Sequence, residues 1–193
     1  MTSNGDMTDH DLILAYADGR NVESLGAFLG RYQDSVLRFV TRLLGDGDAA
    51  QDVVQETFLE IARRPRRLLK ARSPHNWMLR VARNLGIDHL RRKARQRRHL
   101  PAAAASRVRG GEAANLAAEP VAALERKELC ERVRAEIGRL SPRQRELLLL
   151  RIQEGKTYRE IAEITGLSAT NVGFILHQAM KSLSLKLRDT REV

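Results

Sequence analysis

The chain has 193 residues, 42% of them hydrophobic, with 5 prolines and one cysteine, which is enough apolar material for one or two modest cores and too much for wholesale disorder. The single thiol, Cys130, excludes an intramolecular disulfide and any metal site built on several thiolates, while 34 Lys+Arg against 24 Asp+Glu, a formal net charge of +10, point to a polyanionic partner. No apolar run approaches the roughly 18 residues of a membrane span, and the polar stretch Met1 to Asp6 lacks a basic segment followed by an apolar one, so a soluble cytoplasmic protein is expected.

Thr8 is placed to begin a first capped helix, which Gly19 ends, with Leu12 and Tyr16 facing inward. A longer helix follows, carrying Leu25, Phe28, Leu29, Tyr32, Val36, Phe39, Val40 and Leu43 at steps of three and four until Gly45 stops it. Asp48 suits the cap of a third helix whose core side is Ala50, Val54, Phe58 and Ile61, and whose other side carries Asp52, Gln55, Glu56 and Leu59. Pro65 breaks that pattern, and Ser73-Pro74 then gives a cap followed by proline at the first helical position. The fourth helix is expected to turn Trp77, Val81 and Leu85 to the core and Arg80, Arg83, Asp88, Arg91 and Arg92 outward.

From His99 to Glu119 the chain is Ala-rich, contains Gly110-Gly111 and has few large apolar residues, which reads as a flexible linker, although alanine also favours short helical pieces. Glu119-Pro120 opens a helix with Leu124, Leu129, Val133, Ile137 and Leu140, among which Cys130 is expected to be buried or half-buried. Ser141-Pro142 is a second cap-plus-proline start, leading through Leu147 to Ile152 and a stop at Gly155. No strand pattern and no internal repeat is evident. The expected fold is all-α: a four-helix domain over 1–98, a linker over 99–119 and a second four-helix domain over 120–193.

The end of that second domain is the most distinctive stretch. Thr157 and Glu160 have the spacing of a capping box, Gly166 suits a left-handed helix stop, and Ser168 suits the cap of the next helix. Ile161, Ala162 and Ile164 lie on one side of the shorter helix, and Val172, Leu176, Ala179 and Leu183 repeat along the longer one. Two short helices joined this tightly form a helix-turn-helix, although an ordinary helical hairpin has the same spacing.

Charge is unevenly placed. From Arg63 to Arg98 there are 14 basic residues and one acid, Asp88, leaving 20 basic and 23 acidic residues elsewhere, so one block carries the whole excess. Just before it, Asp46, Asp48, Asp52, Glu56 and Glu60 fall in a stretch without a base. That change of sign within one domain suggests two surfaces for two partners. Asp52, Gln55 and Glu56 make a compact acceptor patch suited to an Arg-rich partner helix, and Leu59 adds an apolar anchor; a solvated helix face is the plainer alternative. Arg91-Arg92-Lys93-Ala94-Arg95-Gln96-Arg97-Arg98 has six bases in eight residues and suits phosphates, RNA or a solubilising role.

Taken together, these motifs resemble the small, extracytoplasmic-function (ECF) group of bacterial sigma factors over nearly the whole chain outside the linker. Asp52-Val-Val-Gln-Glu-Thr-Phe58 is similar to the sigma region 2 helix that docks on the β′ clamp helices of core RNA polymerase, whose β subunit is a further expected contact. Trp77-Met-Leu-Arg-Val-Ala-Arg-Asn84, Asp88, Arg91 and Arg92 are similar to the helix that reads and holds the melted minus-ten element. The second domain is similar to region 4, whose recognition helix enters the major groove at minus thirty-five; there the resemblance implies roles for Thr157, Ser168, Thr170, Asn171, Phe174, His177, Gln178 and Lys181. It also implies an anti-sigma factor as a partner, and no small-molecule substrate.

The chain departs from the family at the recognition helix, where Gly173, Phe174, Ile175, Gln178 and Met180 stand at places often basic or small and polar. An unusual minus-thirty-five preference is expected, with Phe174 on a thymine methyl, in a hydrophobic gap or against a protein. A free-standing helix-turn-helix regulator is the competing function, and it would not require the Asp52, Gln55, Glu56 surface. An enzyme is not expected. His10, His75, His89, His99 and His177 have no metal-ligand spacing, and no phosphate loop or nucleophile motif occurs, so no catalytic residue, metal or cofactor is assigned.

Overall fold

The computed structural model describes residues 7–99 and 120–189, with side chains over 7–96 and 130–187. Among the described residues the chain is helical throughout, in the order α1 (Asp9–Gly19), α2 (Val22–Leu44), α3 (Gly47–Arg63), α4 (Pro65–Leu69), α5 (Pro74–His99), α6 (Pro120–Arg139), α7 (Pro142–Ile152), α8 (Tyr158–Thr165) and α9 (Ala169–Asp189). It divides into two compact units, residues 1–108 and 109–193. The stretch read as a linker lies outside the described residues apart from His99, the last residue of α5.

In the first unit α2 packs on α1, α3 and α5, and α1 also packs on α4. Thr8 caps α1 through a full capping box with Asp11. Gly19 is the last helical residue, and the left-handed position falls on Arg20, at φ 51. A left-handed non-glycine residue costs roughly 1–2 kcal/mol. Here the strain is offset by tethering, because the Arg20 guanidinium donates to the Ala62 carbonyl and the Tyr16 hydroxyl, each at 3.3 Å. The α2 stop at Gly45, φ 67, is as expected. The cap of α3 is not. Asp46, rather than Asp48, accepts the Ala49 N–H at 3.2 Å, and Asp48 sits in the first turn. The chain after Pro65 forms the short helix α4, which the pattern break had hidden.

The core of this unit gathers Leu12, Ile13, Phe28, Phe39, Leu43, Ile61, Leu68, Met78 and Leu79, all at most 1% exposed. Burying such side chains contributes about 1.5–3 kcal/mol each. Along α5 the buried residues are Asn76, Met78, Leu79, Ala82 and Gly86, whereas Trp77, Val81 and Leu85, expected inside, are half-buried. The inward arc is rotated because α5 contacts α2, α3 and α4, and it lies close to α2 at Gly86. A Cβ there would stand 3.3 Å from Cδ2 of Leu43 and 3.6 Å from Cδ2 of Leu44, so glycine sets the helix separation. At the start of α5, Ser35 Oγ lies 2.9 Å from His75 Nε2, and the His75 ring stacks on Tyr32 with centroids 5.0 Å apart. Burial, and then a hydrogen bond donated to the Asp9 carboxylate, push the Tyr32 hydroxyl up to about 12.

In the second unit α9 packs on α6, α7 and α8. Cys130 is exposed on α6, contrary to expectation, and Val133 and Ile137 are only half-buried. Among the described residues α9 is the element against which α6 chiefly packs. Its last carbonyls are satisfied by Arg145, which donates to the oxygens of Ile137 (3.3 Å) and Gly138; burial lowers the Arg145 pKa. Ser141 and Gln144 form the capping box of α7, whose Leu147, Leu148, Leu149 and Leu150 make the core with Ile161, Ile164, Val172, Leu176, Ala179 and Leu183.

Candidate nucleic-acid interface

On α3 the residues Asp52, Gln55, Glu56 and Leu59 are all exposed and fall within a narrow arc, opposite the buried Val54 and Ile61. Leu59 keeps 49% of its surface, a bare aliphatic side chain beside carboxylates. Glu56 is also 4.0 Å from Arg63, a solvated contact worth little. Between α3 and α5 runs a groove of about 610 Å3, with Asp46, Asp52 and Glu56 on one wall and His89, Arg92 and Lys93 on the other. The 2.9 Å Lys93–Asp46 bridge ties the two helices together, and it is the first cause holding the Asp46 carboxyl below its ordinary range, ahead of the Ala49 N–H.

Of the arginines assigned to the minus-ten strand, Arg80 and Arg91 are exposed on one outward face of α5 with Asn84, and Arg83 is half-buried at its edge. Arg83 donates to Asn84 Oδ1 at 2.8 Å, and Arg91 lies 3.4 Å from Asp88. Arg92 is separate, because it lines the groove facing α3. Trp77, read as core, is half-buried and sits one and two turns before Arg80 and Asn84, at the three- and seven-residue spacing that could have revealed it. A second basic cluster was not visible in the chain order. Arg20 comes from the end of α1 to meet Arg63, Arg64, Arg66 and Arg67 around a depression of about 470 Å3.

The helix-turn-helix has the expected local chemistry. The Thr157 hydroxyl and amide both donate to Glu160 at 2.8 Å, Gly166 takes φ 75, and Ser168 Oγ accepts the Asn171 N–H at 3.2 Å. Thr157 and Ser168 are thus engaged as caps. Thr170, Asn171, Phe174, His177, Gln178 and Lys181 are exposed together along α9, directly opposite the buried Val172, Leu176, Ala179 and Leu183. Gly173 faces the Tyr158 ring, which a Cβ there would meet at 3.4 Å, an ordinary contact distance. That ring also carries the Arg151 guanidinium, 5.4 Å from its centroid. Among the described residues no three His, Cys, Asp or Glu gather as a metal site, and no helix is long and apolar enough to cross a membrane.

Residues 28–96 match the Sigma-70 region 2 family, and residues 130–183 match Sigma-70, region 4. The ECF RNA polymerase sigma factor SigL of Mycobacterium tuberculosis is 32% identical over 153 residues, 79% of this chain and 82% of that protein. The chain belongs to the ECF sigma factors. These sigma factors are non-enzymatic transcription initiation factors, and two separate matched regions in order are what a free-standing regulator does not require. A further relative, BldN of Streptomyces coelicolor, is 26% identical over 90% of this sigma factor, which spans only 64% of BldN. Among solved structures, the sigma factor RpoE in complex with the anti-sigma factor NepR from Bartonella quintana gives a TM-score of 0.69 at 19% identity, over 83% of this chain and 94% of that one. At that identity it speaks to the fold alone.

Proposed function

We propose that this sigma factor joins core RNA polymerase through the α3 face and holds promoter DNA with α5 and α9. Asp52, Gln55 and Glu56 accept hydrogen bonds from the β′ clamp helices while Leu59 supplies the buried anchor, and further contacts go to the β subunit. Arg80, Arg83, Arg91 and Arg92 attract the phosphates of the melted minus-ten strand, with Asn84 and Asp88 beside them; Trp77, half-buried one turn before Arg80, offers an edge on which an unstacked base can rest. In the second unit Thr170, Asn171, Phe174, His177, Gln178 and Lys181 face the minus-thirty-five groove, while Thr157 and Ser168 hold the two helices in position. Residues 1–98 and 120–193 act as the two DNA-engaging domains, joined by 99–119.

The observation that carries this reading is the adjacency of opposite chemistries in one unit. An acidic face on α3 and an arginine face on α5 flank a single groove, so one rigid body presents separate surfaces to protein and to DNA. No catalytic step, cofactor or small-molecule substrate enters, and the protein works in the cytoplasm. An anti-sigma factor, as NepR is to RpoE, would hold it inactive by covering these surfaces.

Run-off transcription with core polymerase tests the proposal, comparing the native chain with a variant carrying Asp52→Ala, Gln55→Ala and Glu56→Ala. Initiation should be lost while the circular dichroism spectrum is unchanged. Initiation from no template, with DNA binding unaffected by the substitutions, would instead identify a free-standing regulator.

A further inference from the structure

We infer that α9 reads an A·T-containing upstream element through thymine methyls and adenine edges, and does not read guanine; this rests on the promoter-binding role proposed above. In a helix-turn-helix the N-terminal residues of the second helix reach the base edges. From Ala169 to Met180, the first twelve residues of α9, there is no lysine or arginine; the first cation on this face is Lys181. Guanine shows the major groove two acceptors, O6 and N7, best met by a guanidinium or an ammonium. The groups present fit adenine and thymine better. Asn171 and Gln178 lie on the same edge of the exposed face, seven residues apart, and each carboxamide carries the donor and acceptor that match adenine N7 and N6.

Phe174 occupies the centre of that face. The residue is 61% exposed and lies opposite the buried stripe of Val172, Leu176, Ala179 and Leu183. A bare ring at the middle of a groove-reading surface has one favourable base-edge contact, the C5 methyl of thymine. On the flank, Tyr158 packs against α9 at Gly173 and holds Arg151 over its ring. Arg151 and Arg159, both exposed, therefore supply positive charge at the rim of the motif, where phosphates lie, while the centre stays uncharged. Attraction and base reading are divided between different residues.

The test uses the full chain with core polymerase and a promoter library randomised over the upstream element, followed by replacement of each selected thymine with deoxyuracil, which lacks only the methyl group. Selection should give A·T pairs, and one uracil should lower open-complex formation about fourfold, the worth of a single buried methyl. In the Phe174→Ala variant that uracil effect should vanish. Guanine at the selected positions would overturn the inference, as would a uracil penalty that is absent in the native chain or undiminished in the variant. If Phe174→Ala weakens assembly with core polymerase while base selection stays the same, the ring is a protein contact and the inference fails. Transcription that ignores the upstream sequence defeats this inference alone, whereas no transcription from any template defeats the promoter-binding role beneath it.

Discussion

Helices α5 and α9 are the longest helices of their units, and their exposed faces are built on opposite principles. Arg80, Arg83, Arg91 and Arg92 crowd α5, while the outer face of α9 shows carboxamides, an imidazole and a phenyl ring before its first cation, Lys181. A melted strand has a flexible phosphate chain and bases with open π-faces, so dispersed positive charge and one half-buried tryptophan suit it. Duplex DNA offers an ordered pattern of edges, which short neutral groups can read. On the roles proposed above, long-range attraction is concentrated in the first unit, and discrimination in the second needs little charge of its own.

Removing charge from α5 should have the largest effect. Arg80→Ala with Arg83→Ala is expected to weaken open-complex formation more than tenfold and to reduce the slope of log affinity against log salt by roughly 1.4, since each single-strand phosphate contributes about 0.7. Gln178→Arg would erase the contrast from the other side: α9 should acquire a guanine at the facing position, with about a tenfold change in preference in a promoter selection. Gly166→Ala forces a side chain into φ 75 between α8 and α9. It should cost about 1–2 kcal/mol and lower the thermal transition of the second unit by several degrees, leaving the first unaffected.

Asp46→Ala is the matching perturbation of the first unit. Loss of the α3 cap is expected to cost about 1 kcal/mol in urea unfolding at neutral pH. Because Lys93 and the Ala49 N–H depress the folded pKa of Asp46, its carboxylate contributes stability above the unfolded value near 3.9, and that contribution disappears as pH falls through the lower folded value. Native and variant stabilities should therefore converge at the acid end. Lys181→Ala should be mildest, with binding down about threefold and the salt slope reduced by about 0.9, one duplex phosphate.

Features set by neighbours in the chain were the ones legible beforehand. Thr8, Ser141 and Thr157 each close a capping box with a partner three residues on, and Gly45 and Gly166 stop helices, so local spacing was sufficient. The acid face of α3 was equally plain, because Asp52, Gln55, Glu56 and Leu59 lie within two turns. Where tertiary packing decided, periodicity fell short. The inward arc of α5 is shared among three neighbours, which moved Trp77 outward and Met78 inward, and Arg92, exposed as expected, also lines the groove beside α3. Cys130 sat on an apolar-looking stripe, yet α6 is packed mainly along α9. Asp46 and Asp48 are two residues apart and chemically alike, and only the backbone turn before α3 distinguishes the cap. The meeting of Arg20 with Arg63 to Arg67 joins segments more than forty residues apart, a proximity that no local pattern encodes.

Gly86 gives the first unit a bearing surface. With no side chain between α5 and the Leu43 and Leu44 methyls of α2, the axis of α5 is held at one height and one angle of roll. Arg80 lies nearly two turns to one side of that pivot and Arg91 more than a turn to the other, so a small tilt there becomes a larger swing at both. On the proposed role of α5, the aim of its strand-holding face is thus set from behind, by a residue on the buried side of the helix.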